Sequence, residues 1–122
     1  MIYKSRDLML VIALALAGCS STPPPLELTL TATDIAYDTS DFSAKINQEI
    51  NINFVNEGVL EHNFIIDEFG VDNLLKSGEK VAISFTPQEP GSYDFYCNVA
   101  GHLEAGMKGT LRVTEQAPNH KF

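Results

Sequence analysis

The sequence predicts an all-β domain, a Greek-key sandwich or barrel, on three observations. Apolar and polar residues alternate with period two in several short stretches, which is the pattern of half-buried strands. Turn formers separate these stretches, at Asn56-Glu57-Gly58, Ser77-Gly78 and Pro90-Gly91. Apolar positions at helical spacing are nearly absent, and only Val71 to Lys76 hints at one turn or a short helix. Short strands at this spacing argue for antiparallel sheets packed face to face or closed on themselves.

Residues 1–18 read as a secretion leader. Lys4 and Arg6 precede an unbroken apolar run of ten residues, Leu8 to Ala17, which is half of the roughly 20 residues a spanning helix needs. The run ends in Leu16-Ala17-Gly18-Cys19, which resembles a bacterial lipobox, cut before the cysteine, whose thiol is then acylated. Several acyl chains on Cys19 give stable anchoring, since each buried methylene contributes about 0.8 kcal/mol. Ser20 in place of Asp resembles the signal for outer-membrane sorting. The expectation is a protein exported and lipid-anchored to a bacterial membrane, facing the periplasm or the cell exterior.

The lipidated Cys19 and the Pro-rich stretch that follows, ending at Pro25, form a short extended tether. A folded domain is expected over residues 26–115. Leu26, Leu28 and Leu30 alternate with Glu27 and Thr29, and Ile50, Ile52 and Phe54 with Asn51 and Asn53. The alternation returns at Val81, Ile83 and Phe85, again at Tyr93 and Phe95 leading into Cys97, and last at Leu111 and Val113. Residues 116–122 form a polar C-terminal tail.

Removing the leader leaves 104 residues, enough for one domain with a core and too few for two. Lys4, Arg6 and Asp7 leave with it, so 6 basic and 15 acidic residues remain, a net charge of −9 with His neutral. That balance excludes nucleic acid as a partner, and the domain is expected to be a monomer. With Cys19 acylated, Cys97 is a lone thiol in an oxidising compartment. Metal ligation explains it, because a metal-bound thiolate is shielded from casual oxidation.

Cys97, His102 and Met107 stand five residues apart in one segment between two predicted strands. One loop can therefore present a thiol, an imidazole and a thioether to a single point. A fourth ligand must come from elsewhere, and His62, which starts the apolar run Phe64 to Ile66, suits the role better than His120 in the polar tail. Two histidines and a cysteine with a weak axial methionine are the donor set of a blue-copper electron-transfer centre. Singly, His62 reads as a satisfied polar residue, Cys97 as a small core hydrophobe and Met107 as a core gap filler. Jointly they do not, because Met107 and Cys97 are the mature chain's one methionine and one unacylated cysteine, at equal spacing around a histidine.

The pattern from Cys97 through His102 and Met107 to Lys108-Gly109-Thr110-Leu111, with His62-Asn63-Phe64 upstream, resembles the plastocyanin and auracyanin branch of the cupredoxins. The resemblance runs from about Leu26 to Glu115. It implies a cupredoxin sandwich holding one copper ion, Cu(I) or Cu(II), with His62 and His102 binding through Nδ1, Cys97 through a short thiolate bond and Met107 through a long axial one. Asn63 resembles the family residue that pins the ligand loop by hydrogen bonds. In the family, the edge of the second histidine is the usual electron port. Carried over, that port is His102, rimmed by Val99, Ala100, Leu103 and Ala105, with Gly58 and Leu60 joining from the neighbouring loop. Family members often have Pro where this chain has Ala100, which leaves the loop less restricted in φ.

The function implied is single-electron transport between redox proteins, such as a c-type cytochrome or a membrane oxidoreductase, with the acidic surface able to steer a cationic partner. The alternative is a copper protein that stores the metal or delivers it to another enzyme, which would share every ligand. Enzymatic readings fare worse. A nitrite reductase needs a second copper with further histidines, and a cysteine nucleophile needs a separate histidine base; only His120 remains for either.

Overall fold

The computed structural model describes residues 21–116. The leader, Cys19, Ser20 and most of the tail, with His120, lie outside the described residues. Among the described residues nine strands form two sheets that pack as a sandwich: β1 (Leu26–Thr33), β2 (Ala36–Tyr37), β3 (Asp41–Lys45), β4 (Ile50–Asn56), β5 (His62–Ile66), β6 (Val71–Leu75), β7 (Lys80–Phe85), β8 (Gly91–Tyr96) and β9 (Lys108–Thr114). One sheet has the order β2-β1-β4-β7 and the other β3-β9-β8-β5-β6.

The alternating stretches become strands with one face inward. In β4, Ile50, Ile52 and Phe54 are buried, while the intervening Asn51, Asn53 and Val55 are exposed or half-buried. The sheets are mixed, because β1 pairs with β4 and β3 with β9 in parallel. The chain leaves the first sheet after β2, adds β3 to the edge of the second and returns as β4, so β4 runs the same way as β1.

The helix expected over 71–76 is a strand instead. Val71, Leu74 and Leu75 imitate helical spacing, but β6 pairs antiparallel with β5, from Ile66 opposite Val71 to His62 opposite Leu75. Val71 and Leu75 then face the core, while Leu74 points outward and is 55% exposed. Among the described residues the one helical turn lies earlier, a 3₁₀ turn at Asp67–Phe69.

Phe54, Phe64 and Phe95 are fully buried between the sheets, and Tyr37 meets all three rings edge-on at centroid distances of 5.5–6.4 Å. Such edge-to-face pairs contribute about 0.5–1.5 kcal/mol each beyond the area they bury. Tyr37 also donates its hydroxyl to the backbone carbonyl of Asn63. The core therefore grips β5 one residue past His62, at the end of the sandwich where the ligand loop emerges.

Candidate metal centre

His62 opens β5, Cys97 directly follows β8 and Met107 directly precedes β9. The β8–β9 ladder ends with Tyr96 opposite Lys108, and the next rung is the Cys97 N–H donating to the Met107 carbonyl at 3.1 Å. The intervening loop is a closed excursion from two paired strands. Inside it the His102 N–H donates to Val99 O at 2.9 Å and the Met107 N–H to His102 O at 3.0 Å. Gly106 has φ of 96°, which only glycine adopts without strain, and this lets the chain turn back into β9.

The loop and β5 bring His62, Cys97 and His102 together, with one ligand atom of each lying within 4.8 Å of the others. His62, Cys97 and Met107 are fully buried, and His102 is 4% exposed. Cys97 Sγ lies 3.4 Å from His102 Nδ1. His62 Nδ1 is, among the described residues, the one buried side-chain nitrogen or oxygen without a hydrogen-bond partner. An orphaned buried acceptor costs about 1–3 kcal/mol. A metal ion among the three groups would satisfy it, so the residues present fit the ion that their chemistry suggests.

Asn63 braces this geometry. Its backbone N–H points at Cys97 Sγ at 3.5 Å, its Oδ1 accepts from the Asn98 N–H at 2.9 Å, and its Nδ2 donates to Asn98 Oδ1 at 2.6 Å. The residues flanking His62 and Cys97 are thereby locked together across the two strands. The sulfur's neighbourhood also acts on Tyr37, whose phenol is pushed well above its ordinary value, first by burial and then by the nearby Cys97.

Sequence reasoning missed Asp34, in the two-residue turn between β1 and β2. Its Oδ1 lies 2.9 Å from His62 Nε2. Its two oxygens also accept from the Val59 N–H at 2.9 Å and the Leu60 N–H at 3.2 Å. The Val59 amide, followed by His62, holds the Asp34 carboxyl below the usual carboxylate range. No spacing signal connects Asp34 to His62, 28 residues away; only its polar position in a tight turn distinguished it.

Around His102, Ala100, Leu103 and Ala105 are exposed and Val99 is half-buried. Leu60 is exposed too, and Val59, which sequence reasoning passed over, is 82% exposed. Gly58 is a correction: it is buried and so cannot rim a surface. A Cβ there would strike Asp34 Oδ1 and His62 Nε2, so glycine is what lets the loop close over that pair.

The cupredoxin-like domain model matches residues 7–113. Auracyanin-B of Chloroflexus aurantiacus is 46% identical over 41 residues, which is 34% of this chain and 17% of that protein. The chloroplastic plastocyanin of Physcomitrium patens is 34% identical over 74 residues, 52% of this chain and 43% of that protein. The chain thus spans less than half the length of either relative. The structure of reduced auracyanin from Roseiflexus castenholzii has a similar fold, with a TM-score of 0.66 at 22% identity over 75% of this chain and 99% of that one. With a sandwich of this topology and a match over nearly its whole length, the chain belongs to the cupredoxin-like domain family.

Proposed function

We propose that this protein is a lipid-anchored carrier of single electrons that binds one copper ion through His62, Cys97, His102 and Met107. The observation that carries the reading is the buried cluster of one thiol and two imidazoles, with the Nδ1 of His62 left unpartnered. When bound, copper supplies a one-electron couple, Cu(II)/Cu(I), so that a reduced partner gives up one electron and an oxidised partner receives it. The chain's own task is to hold the donors still. Strands β5, β8 and β9 fix the ends of the ligand segments, the bonds between Asn63 and Asn98 tie them to one another, and burial excludes water.

Electrons would pass through the His102 side of the loop, where Ala100, Leu103 and Ala105 offer apolar surface for brief docking. A groove lined by Asp41, Asp67, Glu68 and Asp94, with Lys108 among them and Asp41 paired to Arg112 at 2.8 Å, keeps an excess of negative charge beside Tyr96, the residue before Cys97. This supports steering of a cationic redox protein such as a c-type cytochrome. Anchoring at Cys19 would confine the carrier to the membrane surface. Loss of membrane association in Cys19→Ser supports that anchor, and unchanged association refutes it.

The visible spectrum of the purified protein, taken after Cu(II) and again after ascorbate, tests the central claim. An intense blue band that bleaches on reduction and returns on oxidation is expected. Copper binding without colour would remove Cys97 from the ligand set and favour storage or delivery of the metal.

A further inference from the structure

Asp34 and Gly58 form an arrangement that the ligand set does not explain. The Asp34 carboxylate is fixed by the Val59 and Leu60 N–H groups and lies against the Nε2 of His62, whose other ring nitrogen, Nδ1, has no partner. Gly58 is pressed over this contact so closely that no side chain fits. Gly58 is itself clamped: its N–H donates to Asn56 Oδ1 at 2.9 Å, and its carbonyl accepts from Ser77 Oγ at 2.6 Å. Three separate segments therefore converge on one hydrogen bond to one ring.

A carboxylate that accepts from Nε2 requires the proton to sit there, which leaves Nδ1 free as a donor to metal. The orphaned state of His62 Nδ1 is the other half of the same arrangement. A fixed negative charge on the far side of the ring makes the imidazole a stronger donor and favours the more highly charged ion. The Asp34 side chain is 30% exposed, so solvent screens its charge, while the His62 ring it touches is fully buried.

Resting on the copper reading above, we propose that Asp34 is a positioning residue that holds His62 with Nδ1 toward the metal and, through its charge, lowers the reduction potential of the centre. Outer carboxylates of this kind change metal affinity by about 10–100-fold. Asp34→Asn, which keeps Oδ1 as an acceptor but removes the charge, is expected to shift the preference for Cu(II) over Cu(I) by at least tenfold, which is about 59 mV upward for one electron.

The potential is measured on the copper-loaded protein, on Asp34→Asn and on Glu61→Gln, which removes an exposed charge next to His62. A retained blue band with the potential raised in Asp34→Asn, and a much smaller change in Glu61→Gln, supports the proposal. An unchanged potential in Asp34→Asn, or an equal rise in Glu61→Gln, overturns it. Nitrogen-15 NMR of the unaltered, metal-free protein provides a check that needs neither copper nor a variant. The His62 ring is expected to be protonated at Nε2 and bare at Nδ1; the opposite tautomer overturns the positioning role. If the unaltered protein shows no blue band, it is the copper reading that fails, and the tautomer still decides whether Asp34 positions the ring.

Discussion

Asn56→Ala should destabilise the metal-free protein by about 3 kcal/mol, counting three lost side-chain hydrogen bonds at about 1 kcal/mol net each. Asn56 is fully buried at the end of β4. Its Nδ2 donates to Leu60 O at 2.8 Å and Leu75 O at 3.0 Å, and its Oδ1 accepts from the Gly58 N–H at 2.9 Å. The bonds to Leu75 and Gly58 are buried, so water cannot readily replace Asn56 there; the Leu60 bond is only partly buried. The backbone bonds of Asn56 to Glu79 and Gly78 survive the substitution and keep β4 in register. For a domain of about 100 residues a loss of 1 kcal/mol lowers Tm by about 4–8 °C, so a fall of at least roughly 12 °C is expected. Urea unfolding of the metal-free protein measures the change directly, with exposed Asn53→Ala as a control expected to stay within about 0.5 kcal/mol. A loss below about 1 kcal/mol would refute the reasoning, since it would mean that the loop relaxes and finds other partners for the freed groups.

Met107→Leu preserves volume in the core, so stability should change by less than about 1.5 kcal/mol, while the visible spectrum and potential of the copper form change; an unaltered spectrum and potential would exclude Met107 as a ligand. Tyr37→Phe should lose about 1 kcal/mol near neutral pH, where the hydroxyl bonds to Asn63 O. Because folding raises the Tyr37 phenol above its ordinary value near 10, its contribution is complete below that pH. It is lost as pH rises further, since the unfolded chain ionises first, and the slope of stability against pH in urea titrations should be shallower in Tyr37→Phe by up to about 1.4 kcal/mol per pH unit. A parallel slope would show that the phenol is not held back from ionising. Saturating the centre with metal should raise the unfolding free energy, by about 2.7 kcal/mol at a free concentration one hundred times Kd. Chelation should reverse the gain, and His62→Ala should abolish it.

Much of the framework was legible because its signals are local. Strands β1, β4, β7, β8 and β9 have one buried and one wet face, which writes period two into the chain. Strand β5 is buried along its whole length and carries no alternation, so it was readable only as an apolar run. Strand β6 misled because Leu74 is apolar but faces outward, adding a residue at helical spacing to a two-sided strand. Parallel pairing of β1 with β4 could not be read, since it follows from the chain passing through the other sheet.

The same division runs through the site. The sequence alone pointed to the candidate donors Cys97, His102 and Met107, because they share one loop whose ends two strands hold, and spacing along a short loop is nearly a spatial fact. It also singled out His62 and Asn63, through the residues around them. Asp34 and the inward role of Gly58 were decided by tertiary structure only. A carboxylate in a distant turn and a glycine in a loop carry no mark of each other in the chain. They acquire their roles when packing brings the β1–β2 turn under the loop before β5, where Asp34 Oδ1 meets the His62 ring and Gly58 leaves room for that one contact.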